Sequence, residues 1–139
     1  MASELELKAA VSDPAALRGA LARAGAREGF RGMLRDRHLD RAGEMSASDE
    51  VLRVRQWLSR ESDEHAVLGW KGPASISAEG YKHREERECG VSDAAQALAL
   101  LQALGYEVVH AIDRYGELYE LDDAVARLER YPRMDVLVE

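Results

Sequence analysis

The sequence is poor in the features that mark several large classes of protein. It holds one cysteine, Cys89, in 139 residues, so no internal disulfide forms and a reducing, cytoplasmic setting is expected. Cys89 has no CxxC context and reads as a small strand residue. No apolar run approaches the roughly 20 residues that span a bilayer. The chain begins without a basic-then-apolar export pattern. With 19 basic against 26 acidic residues the net charge is −7, which argues against the broad basic field that nonspecific nucleic-acid binding needs. No Gly-rich phosphate loop, HExxH or Cys/His zinc spacing occurs, and His38, His65, His83 and His110 are scattered without a motif.

What the chain does have is charge set at every second residue. Glu4, Glu6 and Lys8 alternate with Leu5, Leu7 and Ala9. Successive side chains of a strand point to opposite faces, so one face here is apolar and the other charged. Taken alone, such a run is the ordinary solvated face of an antiparallel strand. It recurs, however, at Arg53 and Arg55, at Arg84, Glu86 and Glu88, and at the chain end with Glu139.

The remaining pattern suits one α+β domain, long enough to bury a core at 46% hydrophobic residues. Ser12 or Asp13, followed by Pro14, starts a helix that Gly25 ends. Residues 26–40 read as a strand anchored by Phe30, Leu34 and Leu39, with a bulge near Gly29 or Gly32 and with Asp36, His38 and Asp40 on one face. Residues 41–50 read as turn or loop. Residues 51–60 and 65–72 read as a hairpin turning at 61–64 and stopped by Gly72-Pro73, and 81–90 is a strand charged along its length. Ser92-Asp93 starts a second helix over 94–104, with Leu98 and Leu101 inward and Gly105 at its end. A strand over 106–114, a turn at Tyr115-Gly116 and a short strand over 117–121 follow. Ala124, Val125 and Leu128 have helical spacing, so 122–130 reads as a helical turn or helix, stopped by Pro132. A last strand covers 134–139. The strand–helix–strand units over 4–40 and 81–114 resemble each other, as two halves of one sheet would.

If these strands close into an antiparallel barrel, their charged faces converge on its lumen. Converging Arg and Lys form a site for a polyanion. Converging Glu side chains hold hard divalent cations through oxygen. Together these serve phosphoryl transfer.

These residues resemble the motifs of the CYTH superfamily, the triphosphate tunnel metalloenzymes. Glu4-Leu5-Glu6-Leu7-Lys8 is similar to the family's ExExK, Val51-Leu52-Arg53-Val54-Arg55 to its LRxR strand, and Leu68-Gly69-Trp70-Lys71-Gly72-Pro73 to its KGP hairpin. Arg84-Glu85-Glu86-Arg87-Glu88 is similar to its RxExE strand, and Val136-Leu137-Val138-Glu139 to the start of its closing ExE. The resemblance implies a closed antiparallel tunnel of about eight strands with flanking helices, acting on a small-molecule triphosphate with Mg²⁺ or Mn²⁺. It implies that Glu4, Glu6 and Glu139 hold metal. Lys8, Arg53, Arg55, Lys71, Arg84 and Arg114 would hold phosphates, and Lys8, Glu86 and Glu88 would act at the reacting end. Family members include class IV adenylyl cyclases, thiamine triphosphatases and inorganic triphosphatases.

The chain departs from the family at two places. Ile112-Asp113-Arg114 stands where the family has KxR. The sequence also stops at the first Glu of the closing ExE, so the expectation is a single domain over 1–139 short of its C-terminal end. Three functions fit: metal-dependent hydrolysis of tripolyphosphate, a nucleoside triphosphate or thiamine triphosphate; cyclic AMP synthesis from ATP; and binding without turnover. Hydrolysis ranks first, because metal-activated water needs fewer specific features than ring closure. Neither nucleic acid nor membrane is an expected partner, and a homodimer through a sheet or helix face is compatible with the sequence, although no apolar stripe demands one.

Overall fold

The structure, a computed structural model, describes residues 2–59, 65–132 and 136–138, with side chains for 6–59, 65–132 and 138. The elements in order are β1 (Ala2–Glu6), β2 (Ala9–Val11), α1 (Pro14–Arg23), β3 (Arg27–Asp40), α2 (Glu44–Ala47), β4 (Val51–Leu58) and β5 (His65–Lys71). They continue with β6 (Ser75–Ile76), β7 (Lys82–Val91), α3 (Ala94–Ala103), β8 (Glu107–Leu121), β9 (Ala124–Arg130) and β10 (Val136–Val138).

The two longer helices start alike. Val11-Ser12-Asp13 recurs as Val91-Ser92-Asp93. Asp13 accepts a hydrogen bond from the Ala16 amide at 3.0 Å, and Asp93 from the Gln96 amide at 3.0 Å, each capping an otherwise unpaired donor. Both helices end at a left-handed glycine, Gly25 at φ 88° and Gly105 at φ 93°. Each leads into a long strand, β3 or β8. These two strands pair antiparallel through the middle of the sheet, and Leu34 of the first half faces Arg114 of the second. The coarse repeat visible in the sequence is therefore an internal two-fold arrangement about this pair.

The strands form one antiparallel sheet in the order β1-β7-β5-β4-β3-β8-β9-β10-β2, with β6 paired to β7. The ladder ends at β1 on one margin and β2 on the other, and only Leu7-Lys8 links those margins along the chain. The sheet is a curled half-barrel, and the expected closed tunnel is corrected to that extent. Against its outer face, α3 packs Ala94 and Leu101 on Leu39, Val54 and Ala66. Burying each such Leu or Val contributes about 1.5–3 kcal/mol. The first helix is held chiefly by charge, through Arg18 on Glu117 of β8 (2.8 and 2.7 Å).

Three local expectations differ from the structure. Residues 122–130 are not helical: a two-residue turn with Asp122 at φ 52° joins β8 to β9, and Leu121 pairs Ala124. Pairing with β8 and β10 overrides the helical spacing of Ala124, Val125 and Leu128. Tyr115-Gly116 is not a turn, because β8 runs straight through it with Gly116 opposite Gly32. A Cβ at Gly116 would lie 2.3 Å from Leu34 Cδ1, so this glycine permits close packing rather than a bend. The 41–50 loop contains one helical turn, whose amides at Met45 and Ser46 are capped by the Asp40 carboxylate at 2.9 and 3.1 Å. One register shift falls where a bulge is expected, at Gly29, and a second lies between His38 and Leu39.

Candidate anion site

Strand alternation delivers the charged residues to the inner, concave face. One cavity of about 700 Å³ is lined by Glu6, Arg53, Arg55, Glu86, Glu88 and Arg127, which belong to four different strands. An adjoining cavity of about 230 Å³ adds Lys8, Asp36, Lys71, Lys82, Arg84 and Arg114 around the same Glu6, Arg53 and Arg55. Lys8, Arg53, Arg55, Lys71, Arg84 and Arg114 thus line adjoining cavities, with Glu6, Glu86 and Glu88 beside them. Glu4 pairs with Arg84 through the backbone of β1 and β7, but its side chain lies outside the described residues. Glu139 lies outside them altogether. Ile112 lines the narrower cavity two residues before Arg114, so an apolar side chain occupies that place on the inner face.

At the base of the site Asp36 is 3% exposed. It accepts a bidentate pair from Arg55 (2.7 and 2.8 Å) and a third bond from Arg114 (2.9 Å). Burial works to raise the pKa of this carboxyl. The hydrogen bonds and charge of Arg55, with the charge of Arg114, outweigh it and hold the group well below the usual carboxylate range. Arg114 Nε also lies 2.9 Å from Glu129 Oε1, and Arg127 Nε 3.0 Å from the same oxygen. Both are ion pairs whose angles miss hydrogen-bond geometry. Tyr131 donates to the other Glu129 oxygen at 2.6 Å. Two buried carboxylates, Asp36 and Glu129, thus hold the guanidiniums of Arg55, Arg114 and Arg127 in place beside the cavities.

Arg53 differs from these. Among the described residues no hydrogen bond or ion pair reaches it. Burial and the charge of Arg55 push its pKa down, with Asp36 and Glu86 opposing. His38 lines the narrower cavity, and burial likewise lowers its pKa against the pull of Asp36, which favours the neutral ring. At the mouth, Arg84 donates to the Gly72 carbonyl at 3.0 Å and to Asp49 Oδ1 at 3.2 Å. Asp49 Oδ2 accepts from the Ala74 amide at 2.8 Å, which ties the 41–50 loop to the Gly72-Pro73 turn.

Sequence reasoning assigned no role to Asp36, Lys82, Arg127, Glu129 or Tyr131. The alternation of Asp36, His38 and Asp40 signalled a shared polar face; Asp36 and His38 line the narrower cavity, whereas Asp40 caps the helical turn at Met45 and Ser46. Arg127 and Glu129 were hidden by the helical reading of their strand. The donor chemistry fits a hard divalent cation, since four carboxylates, Glu6, Glu86, Glu88 and Asp123, border one cavity and all supply oxygen. Among the described residues no three of them form a ready ligand cluster.

The fold is an α+β type whose curled antiparallel sheet carries charge on its concave face and helices outside. Residues 2–132 match the CYTH domain, and the chain belongs to that family. Among proteins with curated descriptions none matches this sequence. A Vibrio parahaemolyticus protein described as an adenylate cyclase candidate is similar in structure, with TM-score 0.83 at 14% identity over 98% of this chain and 72% of the other. An adenylyl cyclase candidate from Hippeastrum, described as having a dominant triphosphatase activity, gives 0.72 at 14% identity over 96% and 77%. A chain of the Schizosaccharomyces pombe Mediator head module gives 0.77 at 12% identity over 99% and 80%. At these identities the likeness shows the fold alone.

Proposed function

We propose that this protein binds a small-molecule triphosphate on its concave face and hydrolyses it with Mg²⁺ or Mn²⁺. The observation that carries the reading is Arg53. A half-buried guanidinium set beside Arg55, with no hydrogen-bonding partner among the described residues, is an unfavourable arrangement that an arriving polyanion relieves. Lys8, Lys71, Arg84 and Arg114 complete the phosphate grip with Arg53 and Arg55. Glu4, Glu6 and Glu139 are the side chains that would hold the cation, and Glu86 and Glu88, with Lys8, would position the attacking water. A bound cation would supply charge neutralisation and a lowered water pKa. Attack of water on the terminal phosphorus breaks the bridging P–O bond and releases orthophosphate and diphosphate. The compartment that fits is the cytoplasm.

The test is phosphate release from tripolyphosphate, ATP and thiamine triphosphate with each metal, with cyclic AMP measured in the ATP reactions. Release that is lost with EDTA and with Glu6→Ala supports hydrolysis and names the substrate. Full activity in either case refutes it. Cyclic AMP with diphosphate would make the protein a cyclase. A second reading, binding without turnover, is favoured by Ile112 on the inner face. Tight triphosphate binding with silence in every reaction would establish that reading instead.

A further inference from the structure

We infer that Lys82 is a phosphate-binding cation of this site, an assignment that rests on the anion-binding reading above and extends it to a residue that no motif marks. Most cations around the narrower cavity are already committed. Arg55 and Arg114 are taken by Asp36, and Arg84 by Asp49 and the Gly72 carbonyl. Lys8 lies 3.8 Å from Glu6. Arg53 and Lys82 have no hydrogen bond or ion pair among the described residues. Arg53 enters from β4 and Lys82 from β7, so the two uncommitted charges reach the cavity from different strands.

The position of Lys82 is fixed by its backbone. It pairs with Glu6 of β1 on one side and Ile76 of β6 on the other. Alternation sets it on the face of Arg84, Glu86 and Glu88. Across the cavity, β8 offers the apolar Ile112. Lys82 thus supplies charge that the Ile112 position of β8 does not. Half-buried, with its charge felt by Asp49 but not ion-paired to it, it gains when an anion arrives, and an ammonium with three rotatable donors suits a phosphate whose exact seat varies.

The experiment is calorimetric titration of the protein with tripolyphosphate in EDTA, which reads binding without turnover. Wild type is compared with Lys82→Met, Lys82→Arg and Arg53→Met, each checked by thermal melting. Lys82→Met is expected to bind about tenfold more weakly, the scale of one lost charge-assisted hydrogen bond. Its melting should stay like the parent's, because Lys82 holds no ion pair among the described residues. Lys82→Arg should bind like the parent. Binding unchanged in Lys82→Met but weakened in Arg53→Met overturns the assignment of Lys82 alone, as does Lys82→Arg binding as weakly as Lys82→Met. A wild-type protein that takes up no tripolyphosphate overturns the site itself.

Discussion

Arg114 of β8 donates to Asp36 Oδ2 at 2.9 Å, and Arg55 of β4 reaches the same oxygen at 2.8 Å. One buried carboxylate on the central strand therefore locks guanidiniums from both of its neighbours. The arrangement fixes the site and joins the two halves of the sheet at once.

Asp36→Asn removes the charge and leaves two buried cations sharing a neutral acceptor. The expected loss of stability is about 3 kcal/mol, in the range measured when one member of a buried ion pair is removed. Denaturant unfolding measures it, and a loss below about 1 kcal/mol would contradict the clamp. The folded pKa of Asp36 is depressed relative to an unfolded value of about 3.9. Its contribution is thus complete above that value and disappears as pH falls toward the folded one. Below pH ~4 the parent should lose stability more steeply than Asp36→Asn.

Arg53→Met should separate stability from function. Among the described residues the side chain has no hydrogen-bonding partner to lose, and it repels Arg55. Unfolding stability is expected to stay level or rise, while tripolyphosphate affinity drops at least about tenfold. A variant that bound normally, or that unfolded far more easily, would show Arg53 to be structural.

Glu117→Gln tests the opposite face. Glu117 is 1% exposed and fastens α1 through Arg18, with Tyr119 donating at 2.8 Å. Arg18 is about one-third exposed and recovers water when its partner's charge is gone, so the cost is about 1–2 kcal/mol rather than the full value for a buried pair. Anion affinity should not change. A clear change would mean that the two faces are not independent.

Ile112→Lys places a cation on β8 beside Arg114. Tripolyphosphate should bind several-fold more tightly at low salt, with the gain shrinking as salt is added. Unchanged affinity at every salt concentration would mean that the Ile112 position does not face the bound anion.

The sequence made the inner face legible wherever charges alternated over several residues. Arg53 and Arg55, and Arg84, Glu86 and Glu88, arrive where that alternation sends them. The caps at Asp13 and Asp93 were readable because capping is local chemistry. Asp36 was legible only as a face, since its partners come from strands far along the chain and pairing register is not written locally. Arg127 and Glu129 were concealed because three apolar residues happened to match a helix, and only the hairpin turn at Asp122 reveals the strand. Gly116 misled for a similar reason: its missing side chain makes room for Leu34 instead of bending the backbone.

The N-terminal segment lies along both margins of the sheet, β1 on β7 and β2 on β10, with Leu7-Lys8 as the bridge. It is a clasp, and Glu6 and Lys8 ride on it at the point where the two margins are joined. If the clasp lifts, the sheet can splay and the site loses acid and base together. Ligand held by those residues would draw the margins shut, so occupancy should register as slower amide exchange along β7 and also along β10, a strand that carries none of the phosphate-binding side chains.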